Sequence, residues 1–224
     1  MQNQVNLYTS VHKGQRTRFS MISKAAGTLD TNDQNALASL ENEILSFKEH
    51  MFRHAELEEK FIHPILSERV PGGANKLNED HKIMHRQFED LIACFGEIKK
   101  KQDFEKREEL SLEFYLAWNR FTAFYFNHID YEEEYVMPSL WKLCTSDELT
   151  GVFRKSLADQ APEEIIYAFT MALPAMSPTE RVMTINQGRA VGPPEAFQAA
   201  LKIAEHVLTP TDFSSLKKAL NLEG

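Results

Sequence analysis

The amino-acid sequence predicts an all-α protein in which an antiparallel four-helix bundle is followed by a C-terminal helical appendage. Three observations lead to this prediction: long stretches carry apolar residues at helical spacing, glycine and proline are rare inside them, and short polar segments separate them. Helices joined by short connections pack as antiparallel neighbours, which is the arrangement of a helical bundle.

The four bundle helices follow one another along the first 145 or so residues. The first runs from Val5 to about Ala26, where Gly14 and several β-branched residues weaken the helical pattern. The second lies between Gly27 and Pro64, the third between Ala74 and Lys101, and the fourth between Phe104 and Trp141. The second helix shows the clearest apolar periodicity, carried by Leu37, Leu40, Ile44, Phe47 and Met51.

Beyond Cys144 the chain changes character, because helix-start signals recur at short intervals. Ser177-Pro178 and Thr209-Pro210 each place a capping hydroxyl before a proline at the first helical position. We expect short helices over residues 147–158, 162–172, 178–188, 194–206 and 210–221. The predicted domains are therefore a bundle over residues 1–145 and an appendage of undefined role over residues 146–224.

Composition narrows the classes of function. The 25 Lys and Arg residues are outnumbered by 33 Asp and Glu residues, and the formal net charge of −8 disfavours binding to nucleic acid or to an acidic membrane surface. Cys94 and Cys144 are far apart, and the N-terminus lacks a secretory-signal pattern. No apolar run reaches membrane-spanning length. We expect a cytoplasmic protein with reduced thiols.

The most informative feature of the sequence is an internal repeat. The segment from His54 to Leu66 and the segment from His128 to Leu140 both read H-x-x-x-E-E-x-x-x-x-P-x-L. Histidine and glutamate four residues apart lie on one face of a helix as neighbours, so each copy presents an imidazole and a carboxylate to the same point. Two copies on different helices indicate two halves that approach a shared centre.

A further histidine pair, His81 and His85, has the same spacing on the intervening helix, and His12 is the candidate on the first helix. A single such histidine is more often a hydrogen-bonded core or surface residue than a ligand. Burying the whole set without partners is costly, however, so metal binding is the better interpretation. The predicted ligands are His12, His54, Glu58, His81, His85, His128 and Glu132.

Five nitrogen donors and two carboxylates are too many for one tetrahedral zinc ion. Imidazole-rich sites suit iron, copper, zinc or nickel, whereas carboxylates that bridge favour two hard ions side by side. The pattern thus predicts two non-haem iron ions bridged by Glu58 and Glu132 and by an oxo or hydroxo group, with one position left open.

These motifs together resemble those of the hemerythrin-like proteins, also called the HHE cation-binding domain, over about residues 5–145. The resemblance implies an antiparallel four-helix bundle with a di-iron centre that has five histidines as terminal ligands and two bridging carboxylates. Some relatives place the second bridging carboxylate five residues after its histidine, which selects Glu133 here. We prefer Glu132, because the repeat pairs it with Glu58.

Four neighbouring residues receive supporting roles in this interpretation. His50 lies one turn before His54 as an entrance residue or an outer neighbour of the ligands, and Tyr8 and Tyr125 are candidates to hydrogen-bond the site. His63 occupies the position of Met137 in the other copy of the repeat, so we expect it to have a packing role.

The resemblance implies a non-catalytic protein that binds, stores or senses oxygen or another small diatomic molecule such as nitric oxide. One alternative is a di-iron enzyme that acts on peroxide or nitric oxide, or an iron donor for cluster repair. Another is an interaction module, a metal-stabilised scaffold in which residues 146–224 bind a protein partner or mediate oligomerisation. A ferritin-like site is disfavoured, because no histidine has a glutamate three residues before it.

Overall fold

The computed structural model describes residues 5–191 and 194–222, and within these ranges the regular structure is entirely helical, without strands. No helix among them is long and apolar enough to cross a lipid bilayer. The α-helices in chain order are α1 (Thr9–Gly27), α2 (Gln34–Phe61), α3 (His63–Arg69), α4 (Asn75–Lys100), α5 (Phe104–Tyr131), α6 (Met137–Leu143), α7 (Ser146–Ala158), α8 (Pro162–Ala175), α9 (Pro178–Val191), α10 (Pro194–Val207) and α11 (Pro210–Ala219).

The helices group into two compact units. One unit comprises Arg18–Leu143, and the other comprises the residues before Arg18 together with those from Cys144 onward. The start of α1 groups with the C-terminal helices, and the rest of α1 belongs to the Arg18–Leu143 unit. The division into a bundle over residues 1–145 and an appendage over residues 146–224 stays a prediction.

In the Arg18–Leu143 unit, α4 packs along α5 and α2 packs against α4. An aromatic cluster joins these helices to the later part of α1. Its centre is Trp118, whose ring contacts Phe19, Phe47 and Phe88 at centroid distances of 5.4, 6.5 and 5.8 Å. Trp118 is fully buried, and its indole nitrogen donates a 3.2 Å hydrogen bond to the carbonyl of Phe19. This contact gives the indole N–H its required partner inside an apolar core.

The proline of each repeat copy explains where the helices break. Pro64 and Pro138 stand six residues after Glu58 and Glu132. Proline lacks the N–H that would continue the hydrogen-bond ladder, and its ring clashes with the carbonyl four residues earlier. The first copy accordingly ends α2 and starts α3. In the second copy a π-helical turn, Glu132–Val136, separates α5 from α6, where one continuous helix was expected.

The C-terminal helices have a core of their own, which comprises Ala172, Leu173, Met176, Ile185, Phe197, Ala204, Leu208, Leu216 and Leu220. The predicted proline starts are confirmed, since α9 begins at Pro178 and α11 at Pro210.

The start of α1 is anchored in the same unit as the C-terminal helices. Lys13 pairs with Glu180 on α9 at 2.5 Å, and a Cβ added to Gly14 would lie 3.0 Å from the backbone of Ala172 on α8. Glycine therefore permits a close approach between α1 and α8.

Candidate metal centre

Four side chains from three helices and the π-helical turn meet in the interior of the Arg18–Leu143 unit. Glu58, His81, His128 and Glu132 each offer one ligand atom, and these atoms all lie within 4.8 Å of one another. All four residues are buried, with Glu132 at 0% exposure. Two carboxylates and two imidazoles at this separation form a donor set that a metal ion can bridge.

Helical spacing accounts for the pairs within each repeat copy. His54 Nε2 lies 3.0 Å from Glu58 Oε1, and His128 Nε2 lies 3.3 Å from Glu132 Oε1. His81 enters from α4, and its Nε2 lies 3.4 Å from Glu58 Oε2. The two copies of the repeat thus approach one centre.

The donor atoms fit a bound cation. Despite the short distances, three buried atoms have no partner in hydrogen-bonding geometry within the part of the chain described. They are the two carboxylate oxygens of Glu58 and the Nε2 atom of His81. Leaving a buried polar group unsatisfied costs about 1–3 kcal/mol, and more when it is charged. A metal ion accepts lone pairs from carboxylate oxygens and imidazole nitrogens alike, so it would satisfy these atoms without any rearrangement of the backbone.

The pKa values of the two buried carboxyl groups are shifted in opposite directions from their ordinary values. Burial favours the neutral form of Glu58, but the neighbouring imidazoles of His54 and His81 outweigh this and hold its pKa well below the ordinary value. Burial raises the pKa of Glu132 well above the ordinary value, and repulsion from ionised Glu58 raises it further. The surroundings therefore favour the ionised form of Glu58 and the protonated form of Glu132.

Two acidic residues outside the predicted ligand set contact the histidines. The Nδ1 atom of His81 lies 2.9 Å from Glu59 Oε1, and the Nδ1 atom of His128 lies 3.2 Å from Asp80 Oδ2. Neither acid is among the predicted ligands, although each is adjacent to one. Spacing along the chain does not show which imidazole each acid contacts, because that imidazole lies on a different helix.

These acids also influence the protonation of the imidazoles. Burial opposes a charge on His81, but Glu58 and Glu59 outweigh it and raise the pKa of His81. For His128, burial prevails over the hydrogen bond to Asp80, and its pKa is lowered. Burial alone would raise the pKa of Asp80, whereas its contacts with His128 and Lys76 bring that pKa below the ordinary value.

Two predicted ligands, His12 and His85, remain. His12 is fully buried in the first part of α1, with its ring centroid 5.4 Å from that of Tyr8. His85 is not among the residues whose donor atoms converge in the described ranges. Its ring packs on Phe52 at a centroid distance of 3.8 Å, and burial lowers its pKa. Ligation by His12 and by His85 stays a prediction.

Of the two candidates for the second carboxylate, Glu132 belongs to the buried group and Glu133 is only partly buried.

His50 stacks between Phe47 and His54, and burial together with the nearby His54 and Arg18 lowers its pKa to about 3. Tyr125 is buried, with its ring 5.9 Å from that of His128. A hydrogen bond from Tyr8 or Tyr125 to the site stays a prediction.

His63 packs beside the cluster, against His81. It is 3% exposed, its ring stacks on His81 at 5.2 Å, and its Nδ1 lies 2.7 Å from Asn78 Oδ1. Burial lowers the pKa of His63. The only sequence signal for this placement was its position one turn after Glu59, on the continuation of the same repeat.

The helical fold and the buried cluster of histidines and glutamates define a metal-binding protein. The hemerythrin HHE cation-binding domain family matches residues 3–140, which is more than half of the chain. The chain belongs to this family. No curated protein and no solved structure matches the chain.

Proposed function

We propose that this protein holds two non-haem iron ions in an antiparallel four-helix bundle formed by α1, α2, α4 and α5, and that it binds or senses oxygen or another small diatomic molecule. The proposed ligands are His12, His54, Glu58, His81, His85, His128 and Glu132. Residues 146–224 form the helical appendage in this proposal.

The observation that carries the proposal is the convergence of Glu58 and Glu132 in a fully buried cluster of imidazoles. Two carboxylates so close together repel each other when both are ionised, so in a protein without a cation their proximity is unfavourable. Two divalent or trivalent ions would remove this repulsion, because each carboxylate could bridge them. The histidine-rich donor set and the family both favour iron over magnesium or calcium.

Each side chain has a definite task in this arrangement. The Nε2 atoms of His54, His81 and His128 point toward the carboxylates and would serve as terminal donors. Ligation by His85 requires its ring to leave the face of Phe52. When bound, a pair of iron ions supplies two electrons and an open coordination position for a diatomic molecule.

The surroundings restrict water and protons. Tyr125, Phe121 and Phe88 are buried aromatic residues in the core beside the cluster, with Tyr125 next to His128. Such a shell lowers the local polarity and limits solvent access. Burial and the charge of Glu58 raise the pKa of Glu132, so a proton competes with metal for its carboxyl group, and metal loading is expected to strengthen with rising pH.

The proposal is tested by the metal content and optical spectrum of the purified protein, reduced without air and then exposed to oxygen or nitric oxide. We expect about two irons per chain and a reversible spectral change on exposure to one of these gases. Failure to take up iron after reconstitution would refute it. Sustained consumption of peroxide or nitric oxide would instead assign the centre to an enzyme, and iron loss to an apo-cluster protein would assign it to cluster repair.

A further inference from the structure

We infer that Glu59 and Asp80 are positioning residues that fix which nitrogen of His81 and of His128 faces the metal. The inference rests on the proposed function. Glu59 on α2 contacts Nδ1 of His81 on α4 at 2.9 Å, and Asp80 on α4 contacts Nδ1 of His128 on α5 at 3.2 Å.

The two contacts repeat one arrangement along the bundle. Glu59 directly follows the ligand Glu58, and Asp80 directly precedes the ligand His81. The helix α2 therefore supplies a ligand and contacts a ligand on α4, and α4 in turn supplies a ligand and contacts a ligand on α5. The hydrogen bonds connect α2 to α4 and α4 to α5, so a change in helix rotation would alter both the ligands and their supports together.

The chemistry of the contacts determines the tautomer of the imidazoles. An ionised carboxylate can only accept a hydrogen bond, so the Nδ1 atom of each histidine must carry the hydrogen. A neutral imidazole then has its lone pair on Nε2. This Nε2 atom is the one that lies 3.4 Å from Glu58 Oε2 in His81 and 3.3 Å from Glu132 Oε1 in His128. Each ligand nitrogen is thereby available before metal arrives.

The two supports differ in strength. The side chain of Asp80 is 14% exposed and also pairs with Lys76, whose ammonium group lies 4.8 Å from the ring centroid of Tyr131. The side chain of Glu59 is 48% exposed and has more solvent around it. Because hydrogen bonds of a shielded carboxylate are stronger than those of a solvated one, we expect Asp80 to contribute more than Glu59.

Zinc is a suitable probe, since it does not change oxidation state. Zinc affinity would be measured by competition with a chromophoric chelator for the wild-type protein, Asp80→Ala, Asp80→Asn and Glu59→Ala. The matched control is Glu79→Ala, whose exposed side chain pairs with Lys82 at 3.6 Å. Losing such a support typically weakens metal binding about 10- to 100-fold. We expect this loss for Asp80→Ala, smaller losses for Asp80→Asn and Glu59→Ala, and none for Glu79→Ala.

A second measurement does not depend on metal. Long-range ¹H–¹⁵N spectra of the metal-free protein at alkaline pH report which imidazole nitrogen carries the hydrogen. We expect the Nδ1–H form for His81 and His128, with Asp80→Ala changing His128 alone and Glu59→Ala changing His81 alone. If Asp80→Ala does not fold, Asp80→Asn keeps the size of the side chain and serves in both measurements.

The outcomes separate this inference from the proposed function. If the wild-type protein binds neither iron nor zinc, the proposed function fails and the tautomer spectra alone decide the role of the two acids. If metal binds but the affinity of both Asp80 variants equals that of the wild type and His128 keeps the same tautomer, Asp80 does not position it and the inference is overturned.

Discussion

Glu58 and Glu132, from opposite copies of the repeat, bring their carboxylates together in the protein interior with pKa values shifted in opposite directions. The neighbouring His54 and His81 favour the ionised form of Glu58, whereas burial and the charge of Glu58 favour the protonated form of Glu132. A pair of cations would compete with the proton on Glu132. The metal-free and metal-bound proteins should therefore respond differently to pH and to loss of either carboxylate.

The first prediction concerns Glu132→Gln. Because the pKa of Glu132 is higher in the folded than in the unfolded chain, the folded metal-free protein binds more protons, and stability falls as pH rises from about 4.3 toward the folded value. Glutamine has nearly the same shape and no charge. We expect the metal-free variant to be more stable than the metal-free wild type at neutral pH, with the difference vanishing in acid.

Urea unfolding of both metal-free proteins across this pH range provides the measurement. The same variant should lose the rise in melting temperature that iron or zinc gives the wild-type protein, because a ligand has been removed. A variant that is less stable than the wild type at neutral pH without metal would contradict the assigned protonation state of Glu132.

The second prediction ranks the histidines. His54→Ala and His81→Ala should remove most bound iron, since their Nε2 atoms already face Glu58. His85→Ala should reduce iron content less, because its ring packs on Phe52. Iron per chain after reconstitution tests the order, with His206→Ala as the control because this exposed histidine lies in the C-terminal helices. Full iron content in His81→Ala would remove it from the ligand set.

The third prediction compares two helical glycines. A Cβ at Gly14 would lie 3.0 Å from the backbone of Ala172, whereas a Cβ at Gly151 would meet nothing within 4 Å. Alanine favours the helix by about 0.5–1 kcal/mol over glycine, while overpacking against backbone costs about 1–3 kcal/mol. Gly14→Ala should therefore lower the free energy of unfolding and Gly151→Ala should raise it, as measured by chemical denaturation. Equal stabilisation by both changes would argue against the close approach of α1 to α8.

The fourth prediction concerns Trp118. Replacing it with phenylalanine removes the hydrogen bond to the carbonyl of Phe19 and leaves space in a fully buried cluster. We expect a loss of about 2–4 kcal/mol in the free energy of unfolding, from the lost indole hydrogen bond and the cavity together. Denaturant titration checks this value. Leu116→Ala on the exposed face of the same helix is the control and should cost less than about 1 kcal/mol.

Much of the helical content followed from local pattern. The proline starts at Pro178 and Pro210 and the helices around them were predicted because capping hydroxyls and a following proline act within one turn. The π-helical turn at Glu132–Val136 was not predicted. Pro138 alone does not distinguish a break of the kind seen after α2 from a local widening of the helix, since both relieve the same clash.

By itself the sequence determined the pairs His54 with Glu58 and His128 with Glu132, because a four-residue spacing on a helix sets the neighbours on one face whatever surrounds them. Only the tertiary structure brought His81 to the carboxylates while His85 packed on Phe52, and only it joined Glu59 to His81 and Asp80 to His128. The physical reason is that contacts between helices depend on the rotation of each helix about its axis and on side-chain rotamers. Neither is specified by spacing along one helix, and both are set when the whole core packs.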